Sequence, residues 1–143
     1  MSPFLISQLF THINNACKIY LKHCFSPYSK TNFAILNILK KTGIIKDYNI
    51  SSSKNSLNLV LNIYLLYFYT DTIISSFQIL KVISKPQQRI YCSYKNFYNK
   101  FPTLRYNQSF LILSTSLGIM THNTAQSLKI GGEILGYVEP TKK

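Results

Sequence analysis

The stretch from Leu57 to Phe77 decides which folds are open to this chain. Read as one helix it would cross a membrane, and read as strands it would build a sheet. A spanning helix needs about 20 mostly apolar residues. Here Leu65, Leu66, Tyr67, Phe68 and Tyr69 are apolar, but Asn58, Asn62, Thr70, Asp71 and Thr72 interrupt the run. Val60, Ile63, Tyr64, Tyr67, Tyr69, Ile73 and Ile74 are residue types that suit a pleated, half-buried surface. Two strands joined near Thr70-Asp71 therefore fit better than a transmembrane helix.

The segment before it is helical in period. Pro3 fits the first turn of a helix with Ser2 as N-cap. Leu5, Leu9, Ile13 and Ala16, flanked by Ile6 and Phe10, carry that helix to Lys18. Phe25 and Pro27 mark a short extended piece. Ser29 is placed to cap a second helix reaching about Thr42, with Phe33, Leu36 and Leu39 as its stripe, widened by Ile35 and Ile38. Lys40 and Lys41 suit its C-terminal dipole and Gly43 its end. From Ile44 the period changes. Ile44–Ile50 and Leu57–Leu66 read as a hairpin across the polar turn Ser51–Asn55. Beyond it come strands at Ile73–Ile83, Arg89–Cys92, Ser109–Leu113 and Gly131–Val138, and a short helix from Thr121 to about Leu128. Pro86 places a turn at Ser84–Gln88, and Ser114–Gly118 is a second polar turn. The pattern predicts an α+β fold in two lobes. The N-terminal one, 1–70, is α-β-α-β-β. The C-terminal one, 71–143, is mainly β with a short helix.

Composition narrows the function. Of 143 residues, 16 are Lys or Arg and 4 are Asp or Glu, a net charge of +12, while 46% are hydrophobic. That apolar fraction excludes a disordered tail, and the single sign of charge points to a polyanionic partner. Fourteen of the cations are Lys, Ala occurs three times and Trp is absent. This skew reads as A/T-rich coding, as in an organelle genome, an A/T-rich parasite or an endosymbiont. Cys17, Cys24 and Cys92 are odd in number and lack Cys-x-x-Cys spacing. With His12, His23 and His122 scattered, neither a disulfide framework nor a metal site is expected. The first ten residues read as neither a secretory signal nor a transit peptide. Asp47, Asp71, Glu133 and Glu139 form no acid/base pair, and no phosphate-binding glycine loop is present, so no enzyme, cofactor or small-molecule substrate is expected.

Two features point to nucleic acid. Cations and tyrosines interleave from Lys81 to Tyr106: Lys81, Lys85, Arg89, Tyr91, Tyr94, Lys95, Tyr98, Lys100 and Arg105 lie between. Cations track phosphates, and Tyr stacks on bases or bonds a 2′-hydroxyl. Any single Tyr is more simply a core residue, but the whole segment in so basic a chain favours RNA. The second feature is Ser114-Thr115-Ser116 before Gly118. Three short hydroxyls beside a permissive glycine suit close reading of a base edge or sugar, and equally suit an ordinary Ser/Thr turn.

Ser114-Thr115-Ser116-Leu117-Gly118-Ile119-Met120-Thr121, then Ala125, Gly131-Gly132-Glu133-Ile134-Leu135 and Tyr137-Val138, resemble the C-terminal signature of the small-subunit ribosomal protein eight family. Ser84-Lys85-Pro86 with Arg89-Ile90-Tyr91, Pro27-Tyr28-Ser29-Lys30, and Ile38-Leu39-Lys40 through Gly43, Ile45, Lys46 and Asp47 resemble its earlier segments, in order along nearly the whole chain. The resemblance implies the same two lobes. It implies a structural role in the small ribosomal subunit, binding the central domain of small-subunit rRNA at an internal loop beside neighbouring ribosomal proteins. It implies that Ser114, Thr115 and Ser116 contact that loop, with Gly118 shaping the turn. Tyr91 and Glu133 would support the site, and Lys85, Arg89 and Lys30 would meet phosphates. The chain departs from the family at Leu117, where a polar or basic residue is common. It departs again at Thr11–Asn15, where two cations are lost, and at Tyr106-Asn107-Gln108, which replaces a Gly-rich turn. Divergence and composition together imply a mitochondrial ribosome, with a plastid second. The competing reading is a basic membrane-associated protein embedded through 57–77.

Overall fold

The computed structural model describes residues 3–52, 54–55, 57–105 and 108–141. The expected caps and turns at Ser2, Ser53 and Tyr106-Asn107 lie outside these. The fold is α+β, in two compact units, one running through Ser76 and the other starting at Phe77.

In the first unit α1 (Pro3–Lys18), β1 (His23–Pro27), α2 (Lys30–Lys41), β2 (Ile45–Ser52) and β3 (Leu59–Leu65) follow in order. An antiparallel sheet β1-β3-β2 results. The helical stripes become the core: Leu9, Ile13, Ile35, Leu36 and Leu39 are fully buried with Leu61 and Ile63 of β3. α1 packs against β1 and α2 against β2. Ser29 caps α2, its hydroxyl accepting from the Asn32 backbone N–H at 3.0 Å. Asn32 is itself buried and its amide donates to Pro27 O (3.3 Å) and Leu5 O (3.4 Å), tying α2 to β1 and α1. Gly43, with φ +79°, closes α2 in a Schellman turn: Ile44 N–H bonds Leu39 O at 2.9 Å and Gly43 N–H bonds Lys40 O at 3.2 Å.

The ambiguous stretch from Leu57 is resolved as strands. After β3 come β4 (Tyr67–Tyr69) and β5 (Ile73–Ser75), which pair across the turn at Thr70–Thr72. Among the described residues no helix is long and apolar enough to cross a membrane, so nothing supports the embedded segment of the competing reading. The extended run expected over Ile73–Ile83 is divided into β5 and β6 (Phe77–Val82). β5 pairs with β4, whereas β6 pairs with the last strand of the second unit.

The second unit continues with β7 (Tyr91–Cys92), α3 (Phe97–Lys100), a 3-10 turn at Pro102–Arg105, β8 (Phe110–Thr115), β9 (Gly118–Thr121), α4 (His122–Ser127) and β10 (Gly132–Pro140). Its sheet runs β6-β10-β8-β9, and β7 also pairs with β10. Leu111, Leu113, Phe97, Ala125 and Ile134 form the buried centre. Between β7 and β8, Phe97–Lys100 and Pro102–Arg105 are two short helical turns that drop Phe97 and Leu104 into this core. β9 is a strand that sequence reasoning missed. At four residues its own pattern is too short to register, and only pairing with β8 reveals it.

Candidate nucleic-acid interface

Strand register assembles the candidate residues of the second unit. β10 lies between β7 and β8, and Glu133 is directly opposite Tyr91 on one side and Ser114 on the other. Ser114 in turn pairs with Ile119 of β9. Residues directly opposite in antiparallel strands share a face, so Tyr91, Glu133 and Ser114 form one row. Their chain neighbours Cys92, Ile134 and Leu113 are buried on the other side. Tyr91 is 62% exposed, and Glu133 and Ser114 are half-buried. The row therefore presents an aromatic face, a carboxylate and a hydroxyl to solvent over a solid apolar floor.

The turn beyond the row is tighter than the polar segment expected at Ser114–Gly118. β8 continues through Thr115 and β9 begins at Gly118, leaving Ser116 and Leu117 as the connection. Gly118 takes φ +114°, a conformation that other residues rarely adopt. The Thr115 hydroxyl is committed to this turn. It donates to Gly118 O at 2.9 Å and accepts from Leu117 N–H at 3.3 Å. The three hydroxyls are therefore not equivalent. Thr115 shapes the loop, while the Ser114 and Ser116 hydroxyls have no intramolecular partner among the described residues.

Lys85 and Arg89 flank the row on an exposed loop built around buried Ser84. The Ser84 hydroxyl donates to Ile134 O at 2.6 Å and accepts from Ile90 N–H at 3.1 Å. Lys85 and Gln88 exchange backbone bonds of 3.0 and 3.1 Å, so the loop's cations are carried on a closed turn. Lys100 also joins the site: its ammonium donates to Tyr91 O at 3.0 Å. It stood among the interleaved cations but outside the motif positions. Lys30 opens α2 of the first unit and is exposed; it is no part of this row. Of the interleaved tyrosines, Tyr94 and Tyr98 pack on the core. Lys95 and Arg105 lie over their rings at 5.7 and 5.8 Å, so the plain structural role holds for both, and Tyr91 alone of the three stands clear.

Three supporting residues were not legible as such. A Cβ on Gly132 would lie 2.3 Å from Ser114 O, and one on Gly131 would lie 2.7 Å from Cys92 O. The glycine pair lets β10 approach the backbones beside it where the row is formed. His122, fully buried, accepts from Leu111 N–H at 3.2 Å through Nδ1 and meets the rings of Phe97 and Tyr98 edge-on. Burial lowers its pKa below the ordinary 6.5. An unfolded histidine then binds protons more readily than the folded one, so stability is full above about 6.5. It is lost as pH falls through that value toward the lowered folded pKa. We expect the melting temperature to fall as pH drops below about 6.5. His122→Asn, which keeps an acceptor but cannot titrate, should flatten that dependence in a pH series of thermal melts.

Among the described residues no cluster of three or more His, Cys, Asp or Glu could hold a metal. Cys24 is buried, its thiol pushed up to about 11 by burial and the nearby Cys17. The site offers stacking, hydrogen bonding and cations, the means of gripping a polyanion rather than transforming it.

A family model described as ribosomal protein S8 matches residues 5–138. The chain is 41% identical over 133 residues to the small ribosomal subunit protein uS8 of Mycoplasma genitalium, covering 93% of this chain and 90% of that protein. It is 37% identical over 133 residues to the uS8 protein of Mycoplasmoides gallisepticum, covering 93% and 96%. With that of Wigglesworthia glossinidia brevipalpis it shares 35% over 134 residues, covering 94% and 95%. A family match that begins in α1 and ends in β10 spans both units, and the chain belongs to the ribosomal protein S8 family.

Proposed function

We propose that this chain is a structural, non-enzymatic constituent of the small ribosomal subunit that binds the central domain of small-subunit rRNA and supports assembly and translation. The observation that carries the reading is the row Tyr91–Glu133–Ser114, with Ser116 at the turn beside it. Tyr91 stacks on an unpaired base of an internal loop, Glu133 accepts from a base amino group or a 2′-hydroxyl, and the two serines bond a base edge or ribose at close range. Lys85, Arg89 and Lys100 hold the flanking phosphates, and Lys30 meets a phosphate from the first unit. Neighbouring small-subunit proteins complete the surroundings. We place the protein in a mitochondrial ribosome, with a plastid second. The support is compositional, since the relatives above are bacterial. Encoding in an organelle genome would uphold this, and a bacterial genome would overturn it.

The test separates reading from folding. Ser114→Ala with Ser116→Ala removes two hydroxyls that the fold does not use. At roughly 0.5–1.5 kcal/mol for each hydrogen bond, affinity for small-subunit rRNA carrying the internal loop should fall about tenfold. The melting temperature should hold, and binding to plain duplex RNA should change little. Thr115→Val should instead lower stability, because it breaks the turn. If the serine pair leaves the ratio of loop to duplex affinity unchanged, the row does not read RNA.

A further inference from the structure

We propose that the first unit carries a second RNA contact, a groove that takes an unpaired nucleotide with its base against tyrosine and its phosphate on lysine. The proposal rests on the rRNA reading above but concerns different residues on a different unit. The groove, of about 450 Å³, is lined by Lys22, His23, Lys46, Tyr64, Tyr67 and Tyr69 together with Leu65 and Leu66, a volume in the range of small-molecule sites. Backbone pairing builds it. Leu65 N–H bonds Lys22 O at 2.9 Å, and His23 is opposite Tyr64 in the β1–β3 register. In the β2–β3 ladder Ile45 pairs with Leu65 and Asp47 with Tyr64, so Lys46 is the extra residue of a bulge. A bulge re-aims the side chain it carries, and this one sends a lysine to the groove.

The floor is fixed and the walls are open. Tyr67 is 8% exposed, and its hydroxyl donates to Leu21 O at 2.6 Å. Tyr69 is 72% exposed and Tyr64 38%; the Tyr64 hydroxyl accepts from the Asn49 amide at 3.3 Å. Exposed rings beside cations are what single-stranded nucleic acid uses, because every base has a face to stack. Charge selects the occupant. Among the described residues no carboxylate lines the groove, and Asp47, which faces Tyr64 in the sheet, is paired with Lys40 at 2.8 Å. Both lysines are thus left to attract an anion, which favours RNA over the apolar face of a protein.

The probe is a short fluorescent single-stranded oligoribonucleotide, titrated by anisotropy against the full chain. Tyr64→Leu with Tyr69→Leu should weaken it about fivefold or more, Tyr64→Phe with Tyr69→Phe should keep it, and Lys22→Gln with Lys46→Gln should flatten its salt dependence. Melting temperatures check that each variant folds. Combining the tyrosine substitutions with Ser114→Ala and Ser116→Ala should weaken the probe by the same further factor as they do alone, since the sites are independent, so the groove and the row fail separately. Oligonucleotide binding unchanged in the folded leucine variant would overturn the proposal. So would loss of a neighbouring protein, with RNA affinity intact, when that variant is assembled into subunits, which would make the groove a protein contact.

Discussion

Raising salt from about 50 to 200 mM should weaken binding of the free protein to its rRNA site by about 40-fold. Each phosphate neutralised by a cation releases a condensed counterion, and log affinity falls with log salt at a slope of about −0.9 per contact. Lys85, Arg89 and Lys100 surround the row and are all exposed, so three contacts give a slope of about −2.7. Further exposed cations on the same unit, Lys81, Lys95, Arg105 and Lys129, can only steepen it. Lys85→Gln with Arg89→Gln should reduce the slope by about two and weaken loop and duplex RNA alike. Fluorescence titrations at four or five salt concentrations measure this directly. A flat dependence would mean that the net charge of +12 is a by-product of coding bias and plays no part in binding.

Gly132→Ala should destabilise the second unit by about 2 kcal/mol, in the range of overpacked cores, and abolish specific RNA binding at the same time. The new methyl group would sit 2.3 Å from Ser114 O and 3.0 Å from Thr115 Cγ2. A backbone oxygen cannot swing aside as a long side chain can, so β8 must part from β10 where Glu133 pairs with Ser114. Gly118→Ala and Gly43→Ala are the controls. Neither Cβ would meet an atom within 4 Å, and both carry only the cost of a positive φ, about 1–2 kcal/mol. All three should therefore lower stability, but only Gly132→Ala should disrupt the row while its side chains remain unaltered. Thermal melts with loop and duplex RNA titrations distinguish these outcomes. Wild-type loop affinity in Gly132→Ala would show that the close approach of the strands is dispensable for recognition.

Local chemistry made the helices legible. The apolar spacing of Leu5, Leu9 and Ile13, the Ser29 hydroxyl and the Gly43 terminator each act within a turn or two of chain, and the structure has α1 at Pro3–Lys18 and α2 at Lys30–Lys41. The turn at Ser84–Gln88 was legible for the same reason, since Pro86 restricts its own neighbours. The resemblance carried by Ser114–Thr121 and Gly131–Leu135 pointed to the family that the comparisons establish. Tertiary pairing decided the rest. β9 exists because β8 supplies its hydrogen bonds. The run from Ile73 to Ile83 was divided because its two parts have different partners. Thr115 and Ser114 are adjacent and chemically alike. Yet the hydroxyl of Thr115 closes a turn with Gly118 while that of Ser114 faces outward beside Glu133, and that difference is set by strand register. Tyr91, Glu133 and Ser114 are far apart along the chain. They meet in one row only because β10 pairs on both sides, and a close approach at Gly132 permits it.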